Sequence, residues 1–198
     1  MNQFWNQRYQ ENETVYGKSP NAYFKSKLDA YKASSILLPA EGEGRNAVYA
    51  ATKGWKVTAF DYSEAAMQKA LANAKEKKVD IDYRVIDLDH FMVAKKYDAI
   101  GLIYVHLFPK ERAVFHQKIM DSLTPGGVVI IEAFSKEQIN NSSGGPKNIE
   151  QLFSADDLKQ DFEGLDIIEL ETLSIILNEG PFHQGNANVI RMLAKKPL

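Results

Sequence analysis

The residue pattern most specific for chemistry in this sequence is a glycine pair followed by an aspartate. Ala40-Glu41-Gly42-Glu43-Gly44-Arg45-Asn46-Ala47 comes directly after an apolar run at 36–40. Within it, Gly42-x-Gly44-x-x-Ala47 has the spacing of a loop whose backbone approaches a nucleotide closely. Asp61 stands 19 residues beyond Gly42 and closes a second apolar run, KVTAFD at 56–61. A carboxylate there can accept hydrogen bonds from both hydroxyls of a ribose, or it can cap the helix expected from Ser63.

Charge separates the candidate ligands. A pyrophosphate would lie at the start of the helix that follows the loop, beside Glu41 and Glu43, and would be repelled unless both turn into solvent. S-adenosylmethionine has no phosphate and carries a sulfonium and an ammonium, so an acidic loop suits it. Asp87, closing Val85-Ile86-Asp87-Leu88, can accept from an adenine amino group while Leu88 packs on the ring; its other reading is an ordinary helix cap.

Four side chains could meet the second reactant. His106 follows the run at 97–106 and either faces the acceptor or hydrogen-bonds the adjoining loop; His183 lies in the turn-rich Glu179-Gly180-Pro181-Phe182-His183-Gln184-Gly185, which either covers the acceptor or is an ordinary surface loop. Arg45 and Arg191 could hold an anion through bidentate hydrogen bonds, or could form surface ion pairs. His90 and His116 have neither ligand spacing nor a placed partner, so no metal site is expected.

The elements that must position these residues alternate between short apolar runs and amphipathic stretches, the rhythm of βαβ units and a mostly parallel sheet. Strands are expected at 36–40, 56–61, 81–87, 97–106, 128–134, 165–174 and 188–195. Helices are expected from Ser63 to Lys78, with Met67, Ala70, Leu71 and Ala74 as the apolar stripe, and from Lys110 to Leu123, stopped by Thr124-Pro125-Gly126-Gly127. Asn140–Pro146 reads as a mobile loop. The first 34 residues hold seven aromatics, Phe4, Trp5, Tyr9, Tyr16, Tyr23, Phe24 and Tyr31, which suits either a lid over an apolar pocket or a helix packed on the sheet edge.

Composition narrows the class. The 198 residues suffice for one core, and a net charge of −2 gives no basic excess for nucleic acid. Without cysteine there is no disulfide, thiolate metal site or cysteine nucleophile. The longest apolar stretch, at 99–108, is too short for a membrane span, and the N-terminus lacks a signal-peptide core, so a cytoplasmic protein is expected.

Through the glycine loop, Asp61, Asp87, the strand leading to His106 and Pro125-Gly126-Gly127, the chain resembles the class I S-adenosylmethionine-dependent methyltransferases. Phe4-Trp5-Asn6-Gln7-Arg8-Tyr9, Tyr16-Gly17-x-x-Pro20-Asn21 and Pro39–Asn46 are similar to the tellurite-resistance and thiopurine methyltransferase branch. The resemblance implies an α/β, Rossmann-like, doubly wound sheet of seven strands, mostly parallel with the last antiparallel, and helices on both faces. It implies one domain over 1–198, with 1–34 as the aromatic lid and 35–198 as the core.

S-adenosylmethionine would be held by Tyr16, Ala40, Glu41, Gly42, Gly44, Arg45, Asp61, Tyr62, Ser63, Asp87, Leu88 and Tyr104, with His106, His183 and Arg191 as catalytic candidates. The acceptor would be a small molecule, a thiol or a chalcogen oxyanion, methylated in line by a monomer or homodimer. A non-catalytic S-adenosylmethionine-binding module is the alternative. A nicotinamide oxidoreductase is less favoured, because Tyr23/Lys27 and Tyr49/Lys53, the Tyr-x-x-x-Lys pairs, both precede the second strand. The chain departs from the family at Leu38, where an acid is usual, at Ala40, where a glycine is usual, and at Glu41, where a cysteine is usual; Glu41 is expected to compensate for the missing acid.

Overall fold

A computed structural model describes residues 2–198, with side chains from Trp5 onward; the side chain of Phe4, one of the seven N-terminal aromatics, lies outside the described residues. The chain packs as two compact units, one running up to Phe91 together with Glu179–Phe182, the other holding Met92–Asn178 and His183–Leu198.

The first unit contains α1 (Asn2–Glu11), α2 (Ala22–Leu28), β1 (Ser35–Pro39), α3 (Arg45–Thr52), β2 (Lys56–Asp61), α4 (Glu64–Lys77) and β3 (Asp82–Val85). β2 pairs in parallel with β1 on one side and β3 on the other. Ile36, Leu37 and Leu38 are all fully buried, as the consecutive residues of a strand covered on both faces must be. The apolar stripe of α4 falls on Ala66, Ala70 and Ala74, one position round from the expected face, and leaves Leu71 41% exposed. Small side chains there let the neighbouring backbone approach. At Gly44, the N-cap of α3 with φ 79°, an added Cβ would stand 2.6 Å from the Ala70 Cβ.

The second unit contains β4 (Tyr97–Ile103), α5 (Pro109–Asp121), β5 (Leu123–Phe134), α6 (Ala155–Asp161), β6 (Asp166–Asn178) and β7 (Gln184–Lys195). β4 and β5 are parallel, whereas β7 runs antiparallel to both β5 and β6. The seven strands follow the order β3-β2-β1-β4-β5-β7-β6, a mostly parallel sheet whose last strand is reversed, as expected. Among the described residues, no helix is long and apolar enough to cross a membrane.

Several boundaries differ from the sequence expectation. β3 stops at Val85 and β4 at Ile103, so Asp87 and His106 lie in the segments beyond their strands. Thr124–Gly127 belongs to β5 as an irregularity between the Tyr97↔Leu123 and Ala99↔Val128 pairs, because Gly126 at φ 76° lets the chain loop out and rejoin the ladder. β6 and β7 run further toward their shared turn than the apolar runs suggest, since a long hairpin stays paired through polar residues. The 140–146 segment is pinned: Gln138 Nε2 donates to Ser143 Oγ and the Gly144 carbonyl, and Ser143 Oγ donates to the Asn186 carbonyl at 2.6 Å.

Candidate nucleoside site and the residues around it

Asp61 ends β2 with its carboxylate bound by two backbone amides, Gly42 N–H at 3.2 Å and Ser63 N–H at 2.9 Å. The loop and the strand end are thus joined through the acid itself. Burial raises its pKa to about 6, against the lowering effect of these amides, and the nearby Asp87 charge adds to the rise. The helix cap belongs to Ser63 and not to Asp61: Ser63 Oγ accepts the Ala66 amide and donates to Asn6 Oδ1 of α1. That leaves Ser63 with its hydroxyl committed to α4 and α1. Asp87, at the N-cap position of a short 3₁₀ turn over 88–90, makes no side-chain cap bond, so the capping alternative does not occupy it. Leu88 beside it is half-buried.

The loop is strained where the sequence departs from the family. Ala40 has φ 49° and Gly42 φ 58°, both in the left-handed region that favours glycine. Over Gly42, a Cβ would stand 2.6 Å from the Tyr9 hydroxyl oxygen, so α1 closes tightly on this loop. Tyr83 Oη donates to the Gly42 carbonyl at 2.6 Å from the other element.

Neither loop glutamate turns into solvent. Glu41 Oε1 accepts the Asn46 and Ala47 amides, each at 2.7 Å, and its other oxygen meets Asn46 Nδ2, so the carboxylate caps α3. Burial still lifts its pKa to about 7. The expected compensation for Leu38 is corrected here: this carboxylate is spent on its own helix, because the four unpaired amides of a helix start are its nearest strong donors. Glu43 Oε2 accepts the Val15 amide at 2.8 Å, and Oε1 pairs with Lys69 at 3.0 Å. Arg45 is equally engaged, donating to the Tyr16 carbonyl at 3.1 Å and to Glu179 Oε2 at 3.0 Å, so the anion-holding role expected of it is already taken by a carboxylate.

In the second unit, His106 lies between two backbone groups. Its Nδ1 bonds the Gln151 carbonyl at 2.8 Å and Nε2 accepts the Phe134 amide at 3.3 Å, which makes the ring the neutral Nδ1–H tautomer. Burial lowers its pKa to about 4. Both nitrogens are thus engaged with backbone, the structural hydrogen bonding that was the other reading of His106. Arg191 Nε donates to the buried Glu132 at 2.6 Å, and the other Glu132 oxygen accepts the Tyr104 hydroxyl at 2.9 Å; the second candidate anion site is likewise matched by a carboxylate. Tyr104, at φ 57°, stacks on Phe134 at 4.7 Å, and buried His183 meets both rings edge-on at 4.6 and 5.3 Å. His116 is held by Asp161 at 2.9 Å and is core, whereas His90 is exposed.

Residues 36–127, the stretch holding the glycine loop, Asp61 and Asp87, match the methyltransferase domain family. That match spans 92 of the chain's 198 residues. In sequence, the chain is 22% identical over 176 residues to the probable S-adenosyl-L-methionine-dependent methyltransferase TehB of Haemophilus influenzae, an alignment covering 84% of this chain and 58% of that protein. It thus spans under two thirds of that relative's length. The TehB crystal structure superposes with a TM-score of 0.75 at 17% identity, over 98% of this chain and 66% of that one. The structure describing conversion of a disulfide bond into a thioacetal group during echinomycin biosynthesis gives 0.78 at 17% identity, covering 100% and 92%. The N-methyltransferase NodS of Bradyrhizobium japonicum WM9 with S-adenosyl-L-homocysteine gives 0.75 at 14% identity, covering 100% and 98%.

The donor set at the end of β2 fits an adenosyl group. Asp61 offers a carboxylate whose two oxygens each accept one backbone amide and keep capacity for hydroxyl donors, and Asp87 offers a second. The Tyr62 hydroxyl is buried without a hydrogen-bond partner, a vacancy that costs about 1–3 kcal/mol and that a polar ligand would fill. Tyr9 and Glu179 were not among the residues the sequence pointed to as site-forming. Aromatic spacing in the N-terminal motif is the only signal that could have singled out Tyr9; Glu179 has none, because its partners Arg45 and Asn21 are far away in sequence.

Proposed function

We propose that the protein transfers the methyl group of S-adenosylmethionine to a small acceptor, with Asp61 holding the ribose hydroxyls and Asp87 the adenine amino group. The observation that carries this reading is the Asp61 carboxylate, fixed to both the glycine loop and the start of α4 by single amide bonds at 3.2 and 2.9 Å. The sulfonium would supply an activated methyl group. The protein's part is to bind the nucleoside, exclude water and orient the reactants for in-line displacement.

The acceptor class that fits best is a soft nucleophile, a thiol or a chalcogen oxyanion, which can be anionic near neutral pH and needs little help from a base. His106 can take no proton, since both its nitrogens are bonded to backbone, and a thiolate needs no such base. His183, with its ring against Tyr104 and Phe134, is the remaining histidine suited to meeting an acceptor.

Titration calorimetry with S-adenosylhomocysteine tests the nucleoside site, and transfer from a radiolabelled donor to a panel of thiols and chalcogen oxyanions tests the reaction. Asp61→Ala should abolish measurable binding. Tight binding by the native chain with no transfer to any acceptor would favour the non-catalytic module instead.

A further inference from the structure

β6 closes one end of the sheet. It pairs with β7 along one edge, and among the described residues no strand lies along the other. Its 13 residues, Asp166–Asn178, reach about 44 Å at the rise of an antiparallel strand. An open edge offers a row of backbone donors and acceptors to any strand that can lie beside it, so edges are commonly kept short or broken by proline or lysine. β6 is long and contains no proline, lysine, arginine or glycine. It is also apolar at its surface: Ile168 is 55% and Ile176 80% exposed, whereas Ile190 and Met192 of the neighbouring β7 are fully buried. The one interruption is a register shift between Ile167 and Glu169, which leaves Glu169–Asn178 in regular pairing with β7.

The placement of charge along the strand decides what fits beside it. Two copies meeting edge to edge in antiparallel pairing are related by a two-fold axis through one residue, because opposite residues must share a face of the sheet. Thr172 is the midpoint of Asp166–Asn178, so an axis there overlaps the two strands from end to end. About that axis Glu171 lies opposite Leu173 of the second copy, and Glu169 lies opposite Ile175. No carboxylate opposes another. The exposed Ile176 comes beside the exposed Ile168 of the second copy, and the contact is made twice. An axis through Leu170 would set Glu169 against Glu171, one through Glu171 would set that acid against itself, and an axis nearer Asn178 would shorten the paired stretch. Within each copy, Arg191 lies 4.0 Å from Glu171 and Lys195 stands opposite Asp166, which offsets part of the negative charge that the edge carries.

We infer that the protein self-associates through β6, whose open edge pairs antiparallel with β6 of a second copy about a two-fold axis at Thr172. The two sheets then join at their edges, and the exposed isoleucines are covered by one another. This dimer does not depend on the adenosyl reading of the Asp61 site.

Analytical ultracentrifugation of the full chain at concentrations up to about 0.1 mM should show a monomer and dimer in equilibrium. Ile176→Lys changes a side chain that is already 80% exposed in one copy, so the monomer should fold as before, while the dimer weakens about 100-fold because the change enters twice across the axis. The absence of native cysteine permits a second, positional test. Thr172→Cys puts one thiol from each copy on the axis, where opposite Cα atoms are about 4.5–5.5 Å apart and within disulfide reach. Mild oxidation should therefore give a covalent dimer. Ile176→Cys, separated from its own copy by eight residues of rise, about 27 Å, should stay largely unlinked. A chain that is monomeric throughout overturns the inference, as does a dimer that Ile176→Lys leaves intact. Equal cross-linking at 172 and 176 overturns it too, since the strands would then meet without the register derived from Thr172.

Discussion

Glu43, in the glycine loop, accepts the backbone amide of Val15 at 2.8 Å, tying the segment after α1 to the loop that it covers. Its second oxygen is neutralised by Lys69 at 3.0 Å. Glu43→Ala leaves a buried amide and a partly buried ammonium without this carboxylate, and should cost about 2–3 kcal/mol. Limited proteolysis is the direct readout: cleavage between residues 12 and 21 should accelerate well before global unfolding, and an unchanged rate would show that the tie is dispensable.

Ala40 at φ 49° occupies a conformation that glycine adopts without cost. Ala40→Gly should stabilise the chain by about 0.5–1 kcal/mol, seen as a higher urea midpoint with an unchanged slope. A lower midpoint would mean that the Ala40 methyl contributes packing that outweighs its backbone strain.

Glu41 binds its own helix, so Glu41→Gln should leave S-adenosylhomocysteine affinity within about twofold of native, whereas a compensating role for the missing acid at Leu38 would require a loss. Its folded pKa of about 7 lies above the ordinary 4.5, so the folded state holds the proton more tightly than the unfolded state. Stability from this group is present below about pH 4.5 and is lost as pH rises to about 7. Asp61 acts in the same direction between 3.8 and about 6. Glu41→Gln should flatten the decline in unfolding free energy between pH 4.5 and 7, measured by urea titration at several pH values.

His106 supplies a donor to the Gln151 carbonyl and an acceptor to the Phe134 amide, so His106→Ala should destabilise by about 2–4 kcal/mol. Its folded pKa, lowered from 6.5 to about 4, works opposite to Glu41: its contribution is present above pH 6.5 and is lost as pH falls toward 4. The pH profile of kcat in a folded His106→Gln variant should keep its native shape. A lost ionisation in that profile would restore His106 as a proton acceptor.

Arg191 and Glu132 face each other across β5 and β7, with Glu132 almost fully buried. Removing Arg191 strands that carboxylate, so Arg191→Met should cost about 3–5 kcal/mol. The double variant Arg191→Met/Glu132→Gln should cost clearly less than the two single changes added together. Strict additivity in thermal denaturation would deny the pairing.

The order of strands and helices was legible because it depends on local pattern. Buried parallel strands read as apolar runs such as Ile36–Leu38, and the reversed last strand came with the resemblance carried by the glycine loop, Asp61 and Pro125–Gly127. The same loop motif identified Asp61, since glycine spacing and a carboxylate at a strand end are both written along the chain. What could not be read locally was which charges were already spoken for. Arg45, Arg191, Glu41 and His106 have the residue types of a site, yet each is bound to another protein group, and for Arg45 that group is Glu179, 134 residues away. A side chain's type fixes which hydrogen bonds it can make, whereas the folded path of the chain decides whether a protein partner or a ligand makes them. Tyr62 shows the other outcome: the resemblance pointed to it, but only the folded path of the chain leaves its buried hydroxyl without a protein partner.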